Sequence, residues 1–372
     1  MIIVDAHEDL AWNILTFNRD YTRPAAVTRQ LEAGSLAQEK NGDTLLGWKD
    51  YQQGKVGLVF ATLYVTPQRY NEGEWDRLCY ADDQQAHAMY SAQLDAYERL
   101  VEENPDKFRL VLDRKDLNET VATWNKDIIP TKDPSKNELA DSSHPPVGLV
   151  VLMEGAEGVR DPSELAWWRQ RGVRIIGPAW TGTRYCGGTK EPGPMTKEGF
   201  ALLEAMADFG FGLDISHMDE KAALQALDAY PGQIIASHSN ALAAFKAPVD
   251  SNRHLSDRLI YGLVERDAVI GVVLYNSFLK AGWRKGDRRE EVKLDSVIAQ
   301  IDHICQVAGD AQHVGIGTDF DGGFGWQAVP HEINTIADLR KLIPLLQEKG
   351  YSDSHIEAIL GKNWIERLMR IL

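Results

Sequence analysis

The sequence predicts an α/β protein, a closed (β/α)₈ TIM barrel, on three observations. Short apolar, β-branched runs recur along the 372 residues, helical patterns fill most of the intervals, and several runs end in His, Asp or Glu. The runs are IIVDA (2–6), VGLVFATLYV (56–65), VGLVVLMEG (147–155), VRIIGPAW (173–180), FGLDISH (211–217), QIIASHS (233–239), VIGVVLY (269–275) and VGIGTDF (314–320). Near-continuous hydrophobicity is what a parallel strand buried on both faces requires. Helical patterns over 82–104, 196–209, 218–230 and 293–309 turn these runs into βαβ units. Eight of them favour a closed barrel over an open, doubly wound sheet.

Two stretches stand outside this rhythm. Residues 20–52 are mixed and polar, and 118–146 (NETVATWNKDIIPTKDPSKNELADSSHPP) are rich in Pro, Asp and Ser. Both read as surface insertions in a single domain spanning 1–372. Barrels often reach this length as one domain.

The bulk properties exclude several function classes. With 44% hydrophobic and 26% charged residues the balance is that of an ordinary globular protein. The formal net charge of −15 repels nucleic acid and anionic lipid surfaces, and no basic run reverses it locally. No segment carries the ~18 consecutive apolar residues of a membrane helix. The N-terminus MIIVDAHEDL shows no basic region followed by a long apolar one, so no secretory leader is expected. The C-terminus NWIERLMRIL reads as an amphipathic helix, without the pattern of a lipid-anchor signal. Cys79, Cys186 and Cys305 are odd in number and far apart, which suits a reducing cytoplasm.

The polar residues at the run ends carry the chemistry. Barrel active sites form where strands end at their carboxyl side. The first run leads into DAHEDL, where His7 and Asp9 are spaced to share one face of an extended segment. The later runs end in MEG, DISHM, ASHSN and TDFDGG, giving Glu154, His217, His238 and Asp319. Three histidines and three carboxylates at equivalent strand ends point to a metal site. Imidazole and carboxylate donors without thiolate suit zinc, with manganese, iron and cobalt as alternatives. Asp5 and Asp214 read as supporting or turn residues near those ligands.

DAHEDL, MEG, MTKEGFALLEAMADFGFGLDISH, IASHSN, NRHLSD and GIGTDFDG, in this order, resemble the renal (membrane) dipeptidase family of the amidohydrolase superfamily. The resemblance runs over nearly the whole chain. It implies a barrel holding two zinc ions and hydrolysing dipeptides, including those with a C-terminal D-residue. His7 and Asp9 would bind the first zinc, His217 and His238 the second, and Glu154 would bridge them. A water shared by two dications has a pKa lowered toward neutrality, so hydroxide is available to attack the scissile amide. Asp319 would shuttle the proton to the leaving amine. Arg253, in NRHLSD, matches an arginine that contacts the substrate carboxylate, and Tyr275 a substrate-side tyrosine. The family often forms homodimers.

One departure bears on the substrate. A histidine that follows the fourth strand in many family members aligns with Trp180, whose single N–H cannot carry charge. The nearby Arg184 is a candidate replacement donor. Dipeptide hydrolysis is the leading expectation. Hydrolysis of another small amide, N-acyl amino acid or lactone on the same metals is the second. A catalytically silent barrel acting as a binding protein is the third.

Overall fold

Each of the eight apolar runs forms a strand of one parallel sheet in the computed structural model, which describes residues 1–125 and 144–372. The barrel strands are β1 (Ile3–Glu8), β2 (Val56–Tyr64), β3 (Val147–Glu154), β4 (Val173–Gly177), β5 (Gly212–Asp214), β6 (Ile234–Ile235), β7 (Ile270–Val272) and β8 (Val314–Ile316). They neighbour one another in chain order, with β1 paired to both β2 and β8. A single parallel bridge, Ala236 to Ile270, joins β6 to β7 and closes the ring. An extra strand, Phe108–Leu110, lies along the start of β3.

Strand parity separates inside from outside. Val4, Ala6, Leu58, Phe60, Val150, Leu152, Ile175 and Ile235 form one buried cluster with Trp364, Leu368 and Ile371. The intervening residues, such as Val59, Ala61, Leu149, Val151 and Ile176, join the larger cluster beneath the helices. This two-sided burial is why the strands read as unbroken apolar runs rather than as alternating ones.

The helices in order are α1 (Leu10–Phe17), α2 (Ala25–Glu32), α3 (Leu36–Asn41), α4 (Trp48–Gly54), α5 (Asp83–Glu103), α6 (Arg114–Trp124) and α7 (Leu165–Gln170). They continue as α8 (Lys197–Asp208), α9 (Glu220–Ala229), α10 (Asp257–Glu265), α11 (Leu294–Ala308), α12 (Leu342–Glu348), α13 (Asp353–Glu357) and α14 (Asn363–Ile371). The caps follow the local chemistry: Asp82, Thr196, Asp219 and Ser256 each accept a backbone N–H at the start of their helix. α14 closes the amino-terminal end of the barrel. Asn363 Nδ2 donates to the carbonyls of Ala311 and Val314, and Trp364 Nε1 to that of Ile316.

The structure revises three expectations. The stretch 20–52 forms α2, α3 and α4 and is partly interior rather than a surface insertion throughout, with Tyr21, Thr44, Leu45 and Leu46 buried. Residues 118–124 of the second polar stretch are helical, because Leu117, Thr120 and Trp124 are buried one turn apart in α6; residues 126–143 lie outside the described residues. Finally, β5 to β8 are short. His217, His238 and Asp319 stand on the loops just beyond their strands, while His7 and Glu154 remain within β1 and β3. Among the described residues no helix is long and apolar enough to cross a membrane.

Candidate functional site

The carboxyl ends of the strands converge on a cavity of about 810 Å³. His7 reaches it from the end of β1. Asp9 follows at the N-cap of α1 but makes no capping bond, so its carboxylate is free to face the centre. The strand has already ended at Glu8, so Asp9 reaches the site from the helix start, not from an extended segment.

Glu154 occupies the middle. Its Oε2 lies 3.7 Å from His7 Nε2, and its Oε1 lies 3.1 Å from His217 Nε2 and 3.4 Å from His238 Nε2. His7 Nε2 is also 3.9 Å from Asp9 Oδ2 and 3.9 Å from Asp319 Oδ1. The facing nitrogens of His217 and His238 are 3.0 Å apart. The six side chains picked out at the run ends thus share one small volume.

Backbone strain is concentrated at the same place. His217, Asp319 and Asp321 all adopt left-handed φ values, 67°, 60° and 63°. Such residues cost free energy and persist only where the surroundings over-determine them. Gly322 shows the crowding, because a Cβ there would come within 2.2 Å of Asp319 Oδ1 and 2.8 Å of Asp9 Oδ2.

The imidazoles are oriented from behind. Ser237 Oγ donates to Asp214 Oδ2 at 2.5 Å, so it accepts from His238 Nδ1 at 2.8 Å. That arrangement leaves the His238 Nε2 lone pair facing Glu154. Asp214 is in turn held by the backbone N–H groups of Ser216 and Ser237. Thr189 Oγ1 stands 2.9 Å from His217 Nδ1. Asp5 accepts from the N–H and hydroxyl of Thr318 and ties β1 to the loop bearing Asp319. Asp321 anchors that loop through Arg19, Tyr21, Thr44 and the Leu45 N–H. The polar stretch 20–52 therefore buttresses the site.

The electrostatics of the cluster suit a bound cation. Burial pushes His7 down to about 3 and holds His217 and His238 well below the usual histidine range, so all three are neutral donors. Burial and neighbouring carboxylates push Asp9 up to about 7 and Glu154 and Asp319 well above the carboxylate range. His7 Nδ1 and Nε2 and Asp9 Oδ1 are buried without a hydrogen-bond partner. Neutral imidazoles, mutually repelling carboxylates and orphaned donor atoms fit divalent metal. The 3.0 Å between the His217 and His238 nitrogens is short enough for both to reach one ion.

The remaining candidates border the same cavity. Arg253 is buried, donates to His238 O and Ser239 Oγ, and keeps an unpartnered Nε. Tyr275 stacks on Phe324 with ring centroids 4.3 Å apart. Trp180 lies 6.3 Å from the His217 ring and packs edgewise on Tyr64 and Tyr70. Arg184 does not reach the site. Its guanidinium is held by Asp83 and Val159 O, beside Glu157. Sequence reading missed Ser237 and Thr189, which orient the imidazoles, and the anchor at Asp321. The serine of ASHSN and the turn chemistry of TDFDGG were the available signals.

A barrel with histidines and carboxylates gathered at its carboxyl-terminal mouth defines the class: a TIM barrel with a candidate metal centre. The chain belongs to the membrane dipeptidase family, peptidase family M19, whose profile matches residues 1–132 and 134–372. An uncharacterized protein of the pqqA 5' region of Klebsiella pneumoniae is 30% identical over 235 residues, 60% of this chain and 82% of that protein. Dipeptidase tcpJ of Claviceps purpurea is 23% identical over 331 residues, 86% of this chain and 67% of that one. A metallopeptidase from Rhodobacter sphaeroides, solved with a phosphinate mimic of L-Ala-D-Ala, shares the fold with a TM-score of 0.77 at 21% identity, covering 100% of this chain and 99% of that one.

Ser237→Ala removes the acceptor that orients His238. The expected result is a fall of about 10–100-fold in zinc affinity, measured by competition with a chelator. Unchanged affinity would mean that the ring is held by packing alone.

Proposed function

We propose that this protein is a dipeptidase that works with two zinc ions per chain, the whole of 1–372 forming one catalytic domain. His7 and Asp9 would hold the first ion and His217 and His238 the second, with Glu154 shared between the two pairs. The observation that carries this reading is the placement of Glu154, with one oxygen turned to His7 and the other to His217 and His238. Zinc bound there supplies Lewis-acid polarisation of a carbonyl and lowers the pKa of water toward neutrality.

The chain's own residues do the rest. Asp319 faces the cavity beside Asp9 and takes the proton released when water attacks the scissile carbonyl. It then returns that proton to the leaving nitrogen. Arg253 borders the cavity, with two guanidinium nitrogens fixed by His238 O and Ser239 Oγ, and its charge receives the substrate's terminal carboxylate. Tyr275, stacked on Phe324, borders the substrate.

Trp180 supports a second reading, hydrolysis of an N-acyl amino acid or related small amide. With Tyr64, Tyr70, Trp12 and Trp75 it makes an aromatic wall of the cavity. Such a wall favours an apolar acyl group over a small, polar dipeptide.

The central experiment is Glu154→Gln. Losing the anion should lower bound zinc below two equivalents and abolish most turnover, read by elemental analysis with a dipeptide assay. Two full equivalents with wild-type turnover would sink the bridging role. Asp319→Asn separates chemistry from assembly: kcat should fall on the order of 10²–10⁴-fold with metal content retained. Loss of metal together with activity would make Asp319 a ligand instead.

Trp180→His tests the choice of substrate. Wild type should turn over Ala-Ala weakly and N-acylated or D-configured amides better, and the variant should shift kcat/KM toward Ala-Ala. High wild-type rates on Ala-Ala that the variant leaves unchanged would show that the indole is no impediment.

A further inference from the structure

Besides Arg253, the cavity is bordered by Lys40, Lys190 and Lys285. Two of these lysines are engaged. Lys40 Nζ pairs with Glu39 at 2.8 Å, and Lys285 Nζ donates to the carbonyls of Lys40 and Gly323 at 2.7 and 3.3 Å. Lys190 pairs with no carboxylate among the described residues, and its ammonium lies 5.3 Å from the centre of the Tyr70 ring.

The position of Lys190 is built. It sits at φ 65° in the tip between the antiparallel strands Cys186–Gly188 and Glu191–Met195. Lys190 N donates to Asn252 Oδ1 at 3.1 Å, and Asn252 Nδ2 donates to Gly188 O at 3.0 Å. Thr189, next in the tip, reaches His217 Nδ1. The adjacent carboxylate is occupied: Glu191 takes two bonds of 2.7 Å from Arg69 and one of 3.2 Å from the Tyr70 hydroxyl. Glu72 and Asp250 also border the cavity without pairing to Lys190. Asn252 directly precedes Arg253, so the backbone of Lys190 is tied to the segment that carries Arg253, and both residues border this cavity.

We propose that Lys190 sets substrate preference by binding a second carboxylate, the side chain of an acidic residue on the carboxyl-terminal side of the scissile amide. This rests on the dipeptidase reading above, with Arg253 at the terminal carboxylate. A charge-assisted hydrogen bond is roughly twice as strong as a neutral one, so the amide isostere of that residue is a poorer partner. The flexible stem of a lysine lets its ammonium follow a carboxylate on a short side chain. The chain's net charge of −15 disfavours a dianion at long range, so local cations must carry the recognition.

The test is kcat/KM of the zinc-loaded protein on Ala-Glu, Ala-Gln and Glu-Ala. Wild type should favour Ala-Glu over Ala-Gln about tenfold, mainly through KM. Lys190→Met should bring that ratio to about one, and Lys190→Arg should keep it. The ratio is its own control against a general loss of activity. A wild-type ratio near one, a ratio untouched by Lys190→Met, or a larger gain for Glu-Ala overturns the assignment. Calorimetric titration with N-acetylglutamate and N-acetylglutamine reads the same contact without turnover. A preference for N-acetylglutamate that Lys190→Met abolishes upholds Lys190 even if no dipeptide is cleaved, a result that would overturn the dipeptidase reading instead.

Discussion

Burying like charges together is the constraint around which this structure is arranged. Asp9, Glu154 and Asp319 are gathered at the mouth of the barrel with three imidazoles that burial keeps neutral. Left alone, such a cluster would push apart or take up protons. The surrounding polar groups hold it in place from behind. Asp214 fastens Ser237 and through it His238, Asp5 fastens Thr318, and Asp321 fastens the loop between β8 and α12 to Arg19, Tyr21 and Thr44. These partners are supplied by short polar side chains next to the strands, which is why DIS, ASHS and TDFD read as they do.

Much of this was legible in the sequence for a physical reason. A parallel strand buried on both faces must be apolar throughout, so an ionisable residue at its end stands out against the background. Glu154 illustrates the point, since it closes the unbroken apolar run VGLVVLM. What the pattern could not show was where the sheet stops. His217, His238 and Asp319 lie past short strands, and left-handed turns at His217 and Asp319 redirect their side chains. A turn of that kind depends on long-range anchors such as Asp321 with Arg19, which no local window reveals.

The stretch 20–52 teaches the same lesson from the other side. Its polarity suggests exposed chain, yet Tyr21 and Thr44 are buried because their polar atoms serve Asp321. Polarity there serves an internal partner rather than solvent. Arg184 is the converse case, a cation close in sequence to Trp180 whose guanidinium is drawn away by Asp83 and Glu157. Nearness in sequence said little about direction in either case.

The barrel is closed at one seam by a short contact, where Ala236 N donates to Val269 O, Gly271 N to Ala236 O and Ser239 N to Gly271 O, whereas β2 and β3 pair along their length from Leu58 opposite Gly148 to Tyr64 opposite Glu154. Local opening of a protein begins where the fewest backbone bonds must break. That seam lies beside His238, whose imidazole faces His217 across from β5. A ligand gripping both rings therefore ties β6, one of the sparsely paired staves of the barrel, to β5, as a hoop does. Its binding free energy adds to the cost of parting those two staves.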